Sequence, residues 1–385
     1  MRDSTRFKMF YFVYFVSFSG FATFRNVFLE ETGLTGFEMG VIGALPPIVG
    51  LVSQPLWGII ADWKGARREI LMVASAMTGA FVLVYPLADS LPNAFVVISV
   101  GTAFYAFFRA PIVPIADSSV LDSGLEYGQV RAYGSVAFGV GSLILGGVIP
   151  RLGSSVIFYV YFVGMALLVV VGKGLPANDG SRLADVSSDA LRLVRKTDFA
   201  ALLLTSFLIG VVLLSGNSFF SVYMRAIGAG DFLTGVSWLI TTVVEAGVFV
   251  YALRFGLAYR YFLVIGALAY AAKYAVYGFT DAVPAVLLAQ ILSGFSFASF
   301  YLAAVNLADR LSPETLQSTG QTLLWASVFG LGASVGQVFA GTLFDAVGVQ
   351  GMFVYLSGVS LVAAASSLLV SVSAGMESEA EADAT

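Results

Sequence analysis

The sequence predicts an all-α integral membrane protein with twelve transmembrane helices in two pseudo-symmetric six-helix bundles. Three observations support this fold class. Hydrophobic residues make up 58% of the 385 positions and charged residues only 11%, with a mean hydropathy of +0.88. One soluble core could not bury so much apolar surface. Apolar stretches long enough to cross a bilayer recur from end to end, and the two halves of the chain share a repeat.

Twelve apolar stretches are bounded by charged residues, proline or glycine. A hydrocarbon core about 30 Å thick needs about 20 helical residues, so each stretch can span it. The predicted spans cover residues 7–29, 37–60, 69–88, 94–117, 130–149, 155–172, 199–223, 233–253, 261–279, 284–307, 320–343 and 351–372. The aromatic run at 9–21 in the first span is expected to contact lipid and the protein core, with stacking on a substrate as the alternative.

The most polar connection divides the spans into six and six. This pattern predicts an N-terminal bundle at 1–172, a cytoplasmic linker at 173–198, a C-terminal bundle at 199–372 and an acidic, disordered tail at 373–385. If both termini are cytoplasmic, most of the 20 Lys and Arg residues lie inside, and only Arg25, Arg151 and Arg225 lie outside. This distribution follows the positive-inside rule.

The two halves also align at a single offset of 192 positions. Ala116-Asp117 then falls on Ala308-Asp309, Gly128-Gln129 on Gly320-Gln321, and Ser135-Val136 on Ser327-Val328. In each half these residues end the fourth span and begin the fifth. Six spans per half keep both copies in the same orientation, which is the parallel-repeat arrangement of some secondary transporters.

Cysteine and histidine are both absent from the sequence. Their absence excludes disulfides, thiol nucleophiles, Cys/His zinc sites and Ser-His-Asp triads. We therefore do not expect an enzyme, and we expect no cofactor and no metal site. The net charge of −4 and the acidic tail offer no basic patch, so no nucleic-acid partner is expected.

A charged motif follows the second span, with Gly58, Asp62, Gly65, Arg67 and Arg68 in the pattern G-x-x-x-D-x-x-G-x-R-R. The glycines permit close helix approach and a tight turn, and the aspartate and arginines can form charge-assisted hydrogen bonds. An ordinary positive-inside stop would need only the basic residues. The motif closely resembles the cytoplasmic loop signature of the major facilitator superfamily, which implies a latch for one gate state.

Three further segments resemble one cluster within that superfamily, which holds lactose permease-like, phenylpropionate permease-like and nucleoside:proton symporters. The residues of 110–138 resemble its junction between helices 4 and 5, Thr241–Glu245 resembles the acidic motif of helix 8, and 340–351 resembles its junction between helices 11 and 12. The resemblance implies two six-helix bundles around a midplane cavity that work by alternating access.

Glu245 and Lys273 both fall near the middle of predicted spans. A charge at the bilayer centre costs roughly 2.5–3.5 kcal/mol on insertion scales, so such charges usually pair or serve a function. One interpretation is a buried Glu–Lys ion pair that holds two helices together. The other, which the resemblance implies, makes Glu245 a carboxylate that binds substrate or exchanges a proton, with Lys273 tuning it or holding an anionic substrate.

Four more charged residues are candidates for the substrate site or the gate. Arg109 precedes two prolines in the fourth span and either faces the cavity or pairs with Asp117. By resemblance, Arg131 contacts substrate in lactose permease-like members, whereas a gate ion pair is its alternative role. Asp309, the repeat counterpart of Asp117, is expected to be a gating residue.

Helix 10 departs from the resemblance because similar symporters often carry a histidine there, and this chain has Tyr301 and Asn306 in that region. Proton coupling would therefore rest on carboxylates such as Glu245 or Asp117. We expect a monomeric, proton-coupled symporter of the cytoplasmic membrane that moves a sugar, a nucleoside or an aromatic acid. An efflux carrier, a uniporter and a transport-inactive membrane sensor are the alternatives.

Overall fold

The computed structural model describes residues 3–88, 91–175, 193–251 and 257–370, apart from the side chains of Asp3 and Asp62. Most of the predicted linker at 173–198 and the whole predicted tail at 373–385 lie outside these residues. The regular secondary structure within them is helical.

The helices before the linker are α1 (Asp3–Glu31), α2 (Gly36–Lys64), α3 (Arg67–Val82), α4 (Val84–Ala88), α5 (Ala94–Arg109), α6 (Ile112–Asp122), α7 (Tyr127–Leu152) and α8 (Val156–Gly172). The helices after it are α9 (Thr197–Ala226), α10 (Gly230–Tyr251), α11 (Tyr259–Phe279), α12 (Val283–Leu311), α13 (Gln317–Trp325) and α14 (Ala333–Ser367). A π-helical turn at Ala326–Gly332 joins α13 to α14.

Ten helical stretches among the described residues are long and apolar enough to cross a membrane. The apolar helix α8 is shorter, with 17 residues. The last stretch, Glu314–Ser367, has 54 residues and is divided at Gly348, where φ of 73° and ψ of 174° interrupt the helix. With α8 added and this stretch counted as two, the described residues contain a helix at each of the twelve predicted spans, although residues 252–253 and 371–372 of those spans lie outside them.

Local sequence signals explain several helix ends. Thr35 and Glu38 form a reciprocal capping box at the start of α2, in which each side chain accepts a hydrogen bond from the other residue's backbone N–H. Gly65 ends α2 in the left-handed conformation with φ of 58°, which favours glycine. Pro111 separates α5 from α6 within the predicted fourth span.

Contacts between Cα atoms divide the chain into two compact units. The first comprises Met1–Leu183 and Asn217–Leu239, and the second comprises Ala184–Gly216 and Ile240–Thr385. Residues 217–239, from the end of α9 and the start of α10, are thus grouped with the first unit. The predicted bundle boundaries at 1–172 and 199–372 stay a prediction.

Each unit has its own helix packing. In the first unit α1 packs against α7 and α8, and α3 packs against α8. A Cβ atom added at Gly164 of α8 would overlap the side chain of Ser17 of α1, so the two helices approach through small residues. In the second unit α11 packs against both α12 and α14.

Candidate functional site

Arg109 ends α5 and lies among aromatic side chains of α1. Its Nη1 donates a hydrogen bond to the Tyr14 hydroxyl over 3.2 Å, and its Cζ lies 5.0 Å from the centroid of the Phe18 ring. Among the described residues no carboxylate lies within ion-pair distance of Arg109, so the alternative pairing with Asp117 does not form. The guanidinium is therefore a half-buried cation whose charge no described carboxylate balances.

Asp117 and Arg131 both reach α1, from α6 and α7 respectively. The Tyr11 hydroxyl donates a short hydrogen bond to the Asp117 carboxylate. Arg131 Cζ lies 4.3 Å from the centroid of the Phe15 ring and 6.0 Å from that of Tyr11. The structure thus brings the two charged residues together around Tyr11, although they form no direct ion pair among the described side chains.

Lys273 of α11 is buried, with 2% of its surface exposed. Its Nζ donates a hydrogen bond to Ser293 Oγ of α12 over 3.3 Å. The same atom lies 4.4 Å from the centroid of the Tyr274 ring, 4.9 Å from Tyr270 and 6.0 Å from Tyr277. Cation–π attraction to these rings partly replaces the lost hydration of the ammonium group.

Glu245 of α10 is half-buried where α10 touches α12. A Cβ atom added at Gly294 of α12 would lie 2.8 Å from the backbone nitrogen of Glu245, so the two backbones are in contact. Glu245 also interacts electrostatically with Tyr270, whose ring lies beside Lys273. Within the described part of the chain Lys273 makes no ion pair, so the predicted Glu245–Lys273 pair does not form and the two residues share Tyr270 as a neighbour.

A buried amide connects the helices around this pair of charges. Gln290 Nε2 of α12 donates a hydrogen bond to the Tyr277 hydroxyl of α11 over 2.6 Å. Its Oε1 accepts a hydrogen bond from Thr241 Oγ1 of α10 over 3.2 Å. The sequence analysis does not identify Gln290 or Ser293. Their position beside the small residue Gly294 is a weak signal, because uncharged polar side chains are common in helix contacts within membranes.

The predicted gate motif forms the turn between α2 and α3. Gly65 supplies the left-handed residue of this turn. Arg67 is buried and forms an ion pair with Asp122 at the end of α6, and Arg68 forms an ion pair with Glu69 over 2.9 Å. The motif therefore ties the third span to the fourth.

Two residues of the motif contribute less visible contacts. Asp62 lies within α2, but its side chain is outside the described structure. A Cβ atom added at Gly58 would meet no atom of the described residues within 4 Å, so none of them makes the close helix approach that this glycine permits. Asp309, the predicted gate counterpart in the second half, is exposed at the end of α12.

Among the described residues no group of three or more Asp or Glu side chains could hold a metal ion.

The model of the MFS_1 like family matches residues 4–355. The chain is 30% identical over 369 residues to the maltose permease of Geobacillus stearothermophilus, which covers 93% of this chain and 92% of that protein. It is 28% identical over 371 residues to a probable 3-phenylpropionic acid transporter of Escherichia coli K12, covering 91% and 93% of the two chains.

Solved structures agree on the fold. The crystal structure of the nucleoside transporter NupG has a TM-score of 0.85 over 96% of this chain and 99% of that one, at 15% sequence identity. The predicted resemblance, the all-helical fold and the expectation of a transporter rather than an enzyme are thereby confirmed. The chain belongs to the MFS_1 like family of the major facilitator superfamily, and it is a multi-pass secondary transporter of a small organic solute.

Proposed function

We propose that this transporter is a proton-coupled symporter that imports a small organic acid, with an aromatic acid as the leading substrate class. It works as a monomer in the cytoplasmic membrane by alternating access, with both termini in the cytoplasm. Glu245, Lys273, Arg109, Arg131 and Asp117 form the substrate and proton sites. The Gly58–Arg68 motif and Asp309 belong to the cytoplasmic gate.

One observation carries the choice of an acid. Arg109 and Lys273 are intramembrane cations that contact hydroxyls and aromatic rings, and neither has a carboxylate partner among the described residues. Leaving a cation in the membrane without a countercharge is costly. A substrate carboxylate would supply the missing countercharge, and the ring of Phe18 beside Arg109 would favour an aromatic body.

The carboxylates supply the proton sites. Asp117 is bound by the Tyr11 hydroxyl, and Glu245 lies near Tyr270. A carboxylate within a membrane span is stabilised by protonation, so each can bind a proton as substrate enters and release it on the other side. One proton carried with one organic anion keeps the membrane-crossing complex closer to neutral, which lowers the cost of the transition.

The similar proteins support an aromatic acid as the substrate and a sugar as the second candidate. The similarity to a probable 3-phenylpropionic acid transporter supports an aromatic acid. The similarity to a maltose permease supports a sugar as the second candidate, in which case Glu245 would accept hydrogen bonds from substrate hydroxyls.

Counterflow in proteoliposomes tests both candidates. Proteoliposomes that contain the purified protein are loaded with an unlabelled aromatic acid, sugar or nucleoside, and entry of the labelled compound is measured. Net uptake into empty proteoliposomes is measured separately while the internal pH is recorded. We expect exchange of an aromatic acid and internal acidification during net uptake. Arg109→Gln should weaken acid binding by at least tenfold, since charge-assisted hydrogen bonds contribute about 1.5–3 kcal/mol. Glu245→Gln should retain exchange and lose acidification.

Glu314→Gln provides the matched control, because Glu314 is exposed in the short helical turn before α13. It should leave exchange and acidification unchanged. Exchange of maltose but of no acid would replace the leading candidate by the sugar. Uptake that ignores an imposed pH gradient would refute proton coupling and indicate a uniporter, and net export would indicate an efflux carrier.

A further inference from the structure

A charged cluster ties α1, α9 and α10 together at the end of the molecule opposite the gate motif. Glu31 precedes α2 and the Gly58–Arg68 motif lies at its end, so a bilayer crossed by this 29-residue helix separates the two. Arg225 donates from Nε and Nη2 to the two carboxylate oxygens of Asp231, each over 2.8 Å. Its Nη1 donates to Glu31, and the Ser154 hydroxyl donates to the other Glu31 oxygen.

The helix backbones touch directly beside this cluster. A Cβ atom added at Gly146 of α7 would overlap the backbone oxygen of Asp231. One turn deeper, a Cβ atom added at Gly235 of α10 would lie 2.6 Å from the backbone oxygen of Ser142. Ser142 is fully buried behind this contact, with its hydroxyl 3.1 Å from that of Thr23. The seam between α7 and α10 is therefore closed to water in this structure.

The ion pairs of Arg225 with Asp231 and with Glu31 connect different parts of the chain. Asp231 lies six residues away in the same part of the chain, and its side chain is only 7% exposed. Glu31 comes from the other half of the sequence, and its side chain is 44% exposed. Asp231 thus fixes the direction of the guanidinium, and the ion pair to Glu31 links α9 to α1 beside the seam. An exposed ion pair contributes only modestly to stability, so it can break and form again within a transport cycle.

We propose that Glu31, Arg225 and Asp231 form a latch of the outer gate, in which Arg225 holds the seam between α7 and α10 closed and Asp231 positions it. Opening the outer side then requires the Glu31–Arg225 pair to break and the Gly146 and Gly235 contacts to separate. The latch goes beyond the proposed substrate, because it depends on alternating access and not on what is carried.

Cysteine accessibility tests the latch cleanly because the native chain contains no cysteine. Ser142→Cys places a thiol of nearly the same size at a buried position of the seam. The rate at which a membrane-impermeant maleimide labels this thiol in intact cells measures its exposure to water. In that background Arg225→Gln and Glu31→Gln should each raise the labelling rate by about tenfold, the range expected for one charged hydrogen bond. The double variant should exceed neither single variant, because both remove the same pair.

Arg225→Lys keeps the positive charge and loses the two-pronged guanidinium, so its labelling rate should lie between those of the native Arg225 and Arg225→Gln. Arg151→Gln is the matched control, since Arg151 is an exposed arginine at the end of α7 on the same face. Equal labelling rates in Arg225→Gln and Arg151→Gln would overturn the latch, as would additive effects of the two latch variants. Acceleration confined to inverted vesicles would support the latch and refute the proposed topology. Since labelling needs no substrate, failure of the acid assignment would leave this result unchanged.

Discussion

Replacing Lys273 by methionine tests whether its charge is needed for transport or for stability. Removing the ammonium relieves the roughly 2.5–3.5 kcal/mol that a lysine costs at the bilayer centre. The variant loses cation–π contacts to the two nearer rings, worth about 0.5–2 kcal/mol, and the charge-assisted hydrogen bond to Ser293, worth about 1.5–3 kcal/mol. Because these terms largely offset one another, the free energy of unfolding should change by less than about 2.5 kcal/mol.

Transport should respond very differently. If Lys273 binds the substrate carboxylate, Lys273→Met should abolish counterflow of the acid while the protein remains folded. Stability is measured by denaturant titration in detergent micelles, and transport by counterflow in proteoliposomes. Ser293→Ala is the matched control, because it removes the hydrogen bond and keeps the charge, and it should retain most of the exchange. A loss of more than about 3 kcal/mol of stability in Lys273→Met, or undiminished acid exchange, would refute the reasoning.

Three further substitutions test the gate turn and the helix packing. Gly65→Ala should destabilise the α2–α3 turn by about 1 kcal/mol, because alanine is strained at φ of 58°. Transport should be slower with unchanged substrate affinity, which initial uptake rates at several substrate concentrations measure. Asp122→Asn should weaken the ion pair to buried Arg67 and raise the trypsin cleavage rate at the α2–α3 turn several-fold, whereas no change would contradict the pairing. Gly216→Ala should lower the melting temperature, because its Cβ would overlap the Tyr274 hydroxyl and force apart two packed helices, and an unchanged melting temperature would contradict that contact.

Hydrophobic length and charge position predict most of this fold from the sequence. A bilayer fixes the length of each apolar span, so the spans are found to within a few residues. Helix breaks inside a span are harder to predict. Pro111 separates α5 from α6, whereas Pro46, Pro47 and Pro55 remain inside the continuous helix α2. Neighbouring helices can satisfy the carbonyls that a proline frees, and a single sequence does not say where this happens.

The candidate site could be predicted by residue type but not by partner. Arg109 and Asp117 stand out as charges within an apolar span, yet their partners are Tyr14 and Tyr11 of the aromatic run in α1. That run is expected to contact lipid and core, and both tyrosines are indeed buried. Their spacing of three residues places them on one face of α1. Which residues face them depends on helix packing between segments about a hundred residues apart, which local patterns do not encode.

Two pairs of cations, Arg67 with Arg225 and Arg109 with Lys273, differ in the partners that hold them. Near the membrane surfaces, Arg67 and Arg225 pair with carboxylates, which suits gates because an ion pair can form and break within a cycle. Deeper in their spans, Arg109 and Lys273 rest on aromatic rings and hydroxyls. An internal carboxylate at either position would compete with an incoming anion, so in the proposed site the aromatic partners hold the cation in place and leave its charge for the substrate. Introducing a carboxylate beside one of them, as in Ser293→Asp beside Lys273, should therefore suppress acid exchange even though it adds a favourable ion pair; sustained exchange in that variant would remove the physical basis for assigning these cations to the substrate.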